Sequence, residues 1–149
     1  MFDIKGTAEL KNINLRVEMN GDDFARAMDL LLVVDGVPAD KLTSAIPNLR
    51  ENFYEGDQPQ LQEIYPLIVR HKIENIAATL KVDKDSVKLK AADVSKIEIT
   101  PQPGGICQVR LTVQSSMYPL DCLATLSLWL RHEIALTINE RQLRAVGME

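Results

Sequence analysis

Ile106-Cys107-Gln108-Val109-Arg110-Leu111-Thr112-Val113-Gln114 is the stretch on which the reading of the fold turns. Its apolar members Cys107, Val109, Leu111 and Val113 alternate with polar ones, the period of two of a strand with one dry and one wet face. Downstream the period changes. From Leu120 the residues Leu123, Leu126 and Leu130 recur at helical spacing, with Cys122, Leu128 and Trp129 widening the stripe, so the pattern predicts a helix over Leu120 to Arg131. Ser116 is placed to cap it, and Pro119 is tolerated in a first turn. Ile134, Leu136 and Ile138 then restore the strand period. Strand, long helix and strand together predict a helix laid over a sheet.

Upstream, Phe2, Ile4, Gly6, Ala8 and Leu10 occupy even positions and Ile13, Leu15, Val17 and Met19 odd ones. A β-bulge or bend near Lys11-Asn12 would keep both halves facing one core. Asn20-Gly21-Asp22-Asp23 is a turn signal, and the expected return strand runs from about Ala25 to Val34. Met28, Leu30, Leu32 and Val34 line one face, while Ala27, Leu31 and Val33 make the other largely apolar as well, as in a central strand. Pro38 and Pro47 each open a short helix, the first carrying Leu42, Ala45 and Ile46, the second Leu49 and Phe53. Glu55 to Pro66 has the weakest pattern and is expected to be a mobile loop. Ile76 to Val82 and Val87 to Ala91 flank the turn Asp83-Lys84-Asp85-Ser86. Ile97 and Ile99 lead through Pro101-Gln102-Pro103-Gly104-Gly105 back to Ile106. Beyond Ile138, Leu143 and Val146 suggest a short terminal helix or an arm.

These elements predict an α+β fold. It is a largely antiparallel β-sheet or sandwich of about seven or eight strands, with one long C-terminal helix and two short helices. Residues 1–149 give room for a single domain, which at this size buries roughly 70% of the surface its unfolded chain exposes. Apolar content is 46% and charged content 26%, which excludes a disordered chain. The net charge of -4 divides unevenly: residues 1 to 80 carry 8 basic and 13 acidic side chains, residues 81 to 149 carry 9 and 8. An excess of one positive charge in the second part is no nucleic-acid footprint. The first residues form neither a basic nor an apolar leader region, and Leu120 to Leu130 is too short to span a bilayer, so a cytoplasmic location is expected and no membrane partner.

Catalysis has no visible anchor. His71 and His132 lie beside charged neighbours at element boundaries, Cys107 and Cys122 read as buried thiols, and no nucleophile elbow or phosphate loop is present. The pairs Asp22/Asp23, Glu55/Asp57 and Asp83/Asp85 fall in turns, where aspartate is favoured by its own backbone bonding. No catalytic residue, metal site or cofactor is therefore expected. The one charged constellation that points to a partner is Lys84, Lys88 and Lys90, which can share the exposed side of a hairpin and meet phosphates. Solvated edge protection is the simpler account of the same lysines. With three Tyr, three Phe and one Trp, no aromatic platform for stacking bases stands out.

The opening Phe2-Asp3-Ile4-Lys5-Gly6-Thr7-Ala8-Glu9-Leu10-Lys11-Asn12-Ile13-Asn14-Leu15-Arg16, followed by the Gly21-Asp22-Asp23 turn and an apolar strand containing Asp29, resembles small proteins of temperate phages and prophages. Ile97-Glu98-Ile99-Thr100 through Gly105 to Val109, and Glu133-Ile134, follow the same pattern. The resemblance covers the first two strands and the final third, leaves residues 38 to 75 outside, and transfers no functional residue. It implies a phage early-region product, in a setting where small proteins assist recombination and single-strand handling or block host defence.

The expected function is non-enzymatic binding: a phage-encoded interaction protein acting in the bacterial cytoplasm on a host or phage protein or on a nucleic-acid-processing complex. A single-stranded nucleic-acid-binding accessory protein is the alternative, and a small enzyme with an unrecognised site the second. Leu30 to Val34 on both faces of one strand, with Leu128 and Trp129 beyond the helix stripe, exceed what one helix can cover. A two-fold homo-oligomer is expected from that surplus.

Overall fold

The computed structural model describes residues 2–56, 58–59, 66–116, 118 and 121–140. The chain forms β1 (Asp3–Asn20), β2 (Asp23–Pro38), a 3-10 turn (Ala39–Leu42), α1 (Leu49–Phe53), β3 (Tyr54–Glu55) and β4 (Gln58–Pro59). It continues with β5 (Leu67–Val69), β6 (Ile73–Val82), β7 (Asp85–Gln102), β8 (Ile106–Ser116), α2 (Cys122–Leu128) and β9 (Glu133–Glu140). All pairings among them are antiparallel.

Six strands close on themselves. The sheet runs β7-β6-β9-β1-β2-β8, and β8 pairs back onto β7, so the wall has no seam. β5 extends the edge of β7 beyond the reach of β6. Stepping across partners from Ser86 through Lys81, Ala135 and Thr7, then from the adjacent Ala8 through Val34 and Val109, returns to β7 at Ile99. A stagger of roughly a dozen residues tilts the strands steeply against the barrel axis. Alternate residues then fill one interior: Ile4, Ala8 and Leu10 from β1, Met28, Leu30, Leu32 and Val34 from β2, and Leu80, Val94, Ile99, Leu111, Val113, Leu136 and Ile138 from the others, all buried.

Both ends are stoppered. At one, Leu42 and Leu49 are fully buried, and Tyr54 donates its hydroxyl hydrogen to the Ile106 carbonyl at 2.6 Å while accepting from the Gln102 amide at 3.2 Å. At the other, α2 brings Leu126 and Trp129 into the interior. Among the described residues no helix is long and apolar enough to cross a membrane.

The α+β expectation is overturned. Among the described residues there is no long C-terminal helix: α2 spans seven residues and begins after Asp121, while Ser116 ends β8 as a strand residue. The helical period of Leu123, Leu126 and Leu130 loses to β1. The Arg131 amide bonds the Leu10 carbonyl at 2.7 Å and the Leu10 amide bonds the His132 carbonyl at 3.3 Å, so the chain is already entering β9. Arg131 makes the change of direction with φ 66. Leu120 and Pro119 lie outside the described residues. Nor is there a sandwich, because one closed sheet wraps a single interior. Of the two short helices expected, the first is a 3-10 turn and the second is α1.

β7 also differs from the expected succession of hairpins. It is one strand of 18 residues that joins the segments Val87 to Ala91 and Ile97 to Ile99, with a register shift between Ser95 and Glu98 and Lys96 at φ 52 bending the chain between them. Glu55 to Pro66, expected as a mobile loop, opens with the β3–β4 hairpin, and residues 60–65 lie outside the described ones. Leu143 and Val146 do as well.

Candidate functional site: the projecting hairpin

β1 is 18 residues long, about twice the reach of an ordinary strand, and only part of it belongs to the barrel wall. Its pairing with β9 covers Asp3 to Glu9, and the register with β2 slips at Lys11. From there β1 pairs on one side only, and past Ala27, the last β2 residue held by Ser116 of β8, the two strands pair with nothing but each other among the described residues. Gly21 at φ 68 is the first central residue of the two-residue turn between Asn20 and Asp23, the type II′ geometry whose twist suits a hairpin. A two-stranded arm results, continuous with the barrel wall and projecting from it.

The bulge keeps Ile13 packed against the core, as the parity of the sequence implies. It does not do so for the three residues after it. Leu15, Val17 and Met19 are 54%, 65% and 66% exposed, and Phe24, the partner of Met19 across the hairpin, is 73% exposed. They carry the barrel's inward face out past the barrel's end, where no wall stands opposite.

The other face of the arm is polar and tightly held. Arg16 grips Asp29 with two hydrogen bonds, Nε to Oδ2 at 2.7 Å and Nη2 to Oδ1 at 2.9 Å, and reaches Glu18 Oε1 through Nη1 at 2.6 Å. Asn14 donates to Asp29 at 3.4 Å, and Ser116 ties Glu18 to the end of β8 at the same distance. Partial burial pushes the Asp29 carboxyl up, but the hydrogen bonds from Arg16 and Asn14 outweigh it and hold the group below its ordinary range. The hydrogen bonds to Asp29 and then Glu18 push the Arg16 guanidinium up in turn. This network stiffens the arm from behind, so its apolar face is presented on an ordered support.

Among the depressions of the surface, two gather charged side chains beside the arm or at the expected lysines. One of about 350 Å³ on the outer face of β1, β2, β8 and β7 is lined by Asn12, Asn14, Asp29, Lys96, Glu98 and Arg110, with both signs of charge side by side. The second, about 450 Å³, holds Lys88 and Lys90 beside Ser115, Ser116 and Tyr118 where β7 outruns the end of β8. Of the three expected lysines it gathers these two, and Lys84 sits in the β6–β7 turn away from the lining.

Among the described residues no cluster of three or more His, Cys, Asp or Glu could hold a metal ion. Cys107 Sγ lies 3.4 Å from Tyr54 Oη, and burial pushes the thiol up, away from the thiolate a nucleophile requires. The same is true of Cys122, raised by burial and by Asp121. The Tyr54 hydroxyl is likewise pushed up by burial and by Cys107, and its bonds are structural.

The arm is the feature that the sequence pattern concealed. Odd-position alternation over Ile13 to Met19 looks the same whether a wall faces it or not, and of the surplus apolar surface expected at Leu30 to Val34, Leu128 and Trp129, only Leu128 stands in water, 77% exposed. Trp129 is buried, and Leu31 and Val33 are half-buried. One signal was available: β1 is too long for the strands available to cover it. Comparison with protein-family models, with curated proteins and with solved structures finds no match.

Proposed function

We propose that this protein works by binding rather than by catalysis, and that the β1–β2 arm is its contact element. The observation that carries the reading is the apolar face of Leu15, Val17, Met19 and Phe24, held open on a locked polar back. A contiguous exposed apolar face is costly in water and marks an interaction surface. Tied to the phage resemblance of the sequence, the partner class is a protein or a nucleic-acid-processing complex of the bacterial cytoplasm, acted on by a phage-encoded protein. Immobilised wild type and Phe24→Glu protein, exposed to the same bacterial lysate, test it. The expected result is a partner retained by the wild type and lost by the variant at matched folding. Equal retention of every bound protein by both would end the reading.

A second reading rests on Lys88 and Lys90 lining one groove with Ser115, Ser116 and Tyr118, a surface that suits the phosphates of a single strand. Replacing Lys84, Lys88 and Lys90 by glutamate should weaken single-strand binding and flatten its dependence on salt. Unchanged binding by the folded variant removes the lysine face from consideration.

A further inference from the structure

We infer that the arm also pairs with a second copy of this chain, edge to edge along β1, so that two arms form one four-stranded sheet about a two-fold axis through Val17. The inference rests on the arm being a contact element and names the first thing it contacts.

The edge is open. Between the Leu10 contact with Arg131 and His132 and the turn at Gly21, no described strand lies along the second side of β1. A two-residue turn makes Asn20 and Asp23 a hydrogen-bonded pair, so along β1 the even residues spend their amide and carbonyl groups on β2. Leu15, Val17 and Met19 therefore aim theirs at the open edge. An extended segment presenting unpaired backbone groups beside apolar side chains is a template for strand addition.

The occupant follows from the charge pattern. Antiparallel pairing of β1 with itself about Val17 sets Val17 against Val17 of the second copy, Leu15 against Met19, and Arg16 against Glu18, each relation occurring twice by symmetry. Shifting the register by two residues one way brings Arg16 against Arg16, and the other way Glu18 against Glu18. A shift by one sets apolar residues opposite polar ones. Only the Val17-centred register joins apolar to apolar and opposite charge to opposite charge, with like charges kept apart. The pairing is isologous and closes at two copies, because each strand turns away at Gly21 and ends its straight run at the Lys11 bulge. Phe24 stands one strand back from the axis. It stays exposed in the pair and free for a further partner.

Sedimentation equilibrium and site-specific cross-linking test the register itself. Wild-type protein should reach twice its 16.7 kDa monomer mass with rising concentration. Val17→Pro, which removes an amide directed at the open edge and leaves the bonds to β2, should stay monomeric with an unchanged circular dichroism spectrum. Should Val17→Pro fail to fold, Glu18→Arg, which sets Arg16 against arginine, should be monomeric in its place. Under mild oxidation Val17→Cys should form a disulfide dimer, since a hydrogen-bonded antiparallel pair places its Cα atoms about 5.5 Å apart, within disulfide range. Leu15→Cys and Met19→Cys should not cross-link singly and should do so when mixed. Wild type holding at monomer mass at the highest attainable concentration, or cross-linking without regard to position, overturns the pairing. Failure of the arm as a partner surface is read separately: Phe24→Glu should lose the partner captured from lysate while remaining dimeric.

Discussion

Two parts of β1 share one pattern and meet opposite fates. Ile4, Ala8 and Leu10 alternate with polar residues and are buried; Leu15, Val17 and Met19 do the same and stand in water. The difference does not lie in the strand. It lies in what stands opposite: β9 beside the first part, with the barrel interior beyond, and an open edge beside the second. Alternation states which face is apolar, whereas the length and stagger of the other strands decide whether that face is covered. In an ordinary monomer the remainder would be trimmed or made polar. Here it is kept, with a salt-bridged back that fixes its shape.

The sharpest way to break the comparison is to truncate one residue in each part. Leu10→Ala empties a fully buried site and should cost about 3 kcal/mol in chemical denaturation, the transfer loss plus an unfilled cavity. Leu15→Ala, five residues along the same strand, should cost a small fraction of that. Equal losses at the two sites would mean that the arm is packed in solution and that its exposed face does not exist.

Next in size is the far stopper. Tyr54→Phe leaves the packing and removes the hydroxyl that serves the Ile106 carbonyl and the Gln102 amide, with an expected loss of about 1 to 2 kcal/mol. A loss within experimental error would show that water takes over both bonds and that this end of the barrel is wetter than the buried ring implies.

How much of this was legible in the sequence depends on the range of the interaction that decides it. The β1–β2 hairpin was, because Asn20-Gly21-Asp22-Asp23 fixes it locally, and the parity change at Lys11 marked the bulge. The β7–β8 hairpin was as well, through the Pro101 to Gly105 turn, but closure was not, since it depends on the long-range pairings of β8 with β2 and of β9 with β1 and β6. The helix after Leu120 was overestimated for the same reason: β1 captures Arg131 and His132, more than a hundred residues away, and a local period contains no record of it. Of the lysines, Lys88 and Lys90 shared a side by strand alternation, but the groove beside them requires β8 to stop at Ser116. Leu15, Val17 and Met19 were visible as apolar residues and invisible as a surface.

A smaller effect sharpens the polar back of the arm. Asp29 has its pKa lowered on folding, so its pairing with Arg16 contributes stability above the unfolded carboxylate pKa of about 3.9, and that contribution is lost as pH falls through the lower folded value. The stability difference between wild type and Asp29→Asn should be about 1 kcal/mol or less at neutral pH, as for a partly exposed pair, and should vanish in acid. A difference that persists unchanged in strong acid would assign the effect to packing or to the amide rather than to charge.

The smallest effect is the most informative about the open edge. Val17→Thr keeps the β-branch and strand propensity while removing a methyl group from a site 65% exposed, so in dilute solution its unfolding midpoint should match the wild type to within about 0.5 kcal/mol. Raising the protein concentration changes the expectation. A partner that binds only the folded state stabilises it by mass action, so wild type should gain stability with concentration, and the variant, with two hydroxyls set against each other on the two-fold axis, should gain less. The two denaturation curves should therefore coincide when dilute and separate when concentrated. A separation already present in dilute solution would mean that Val17 contributes inside its own chain, and would return it to the buried part of the strand.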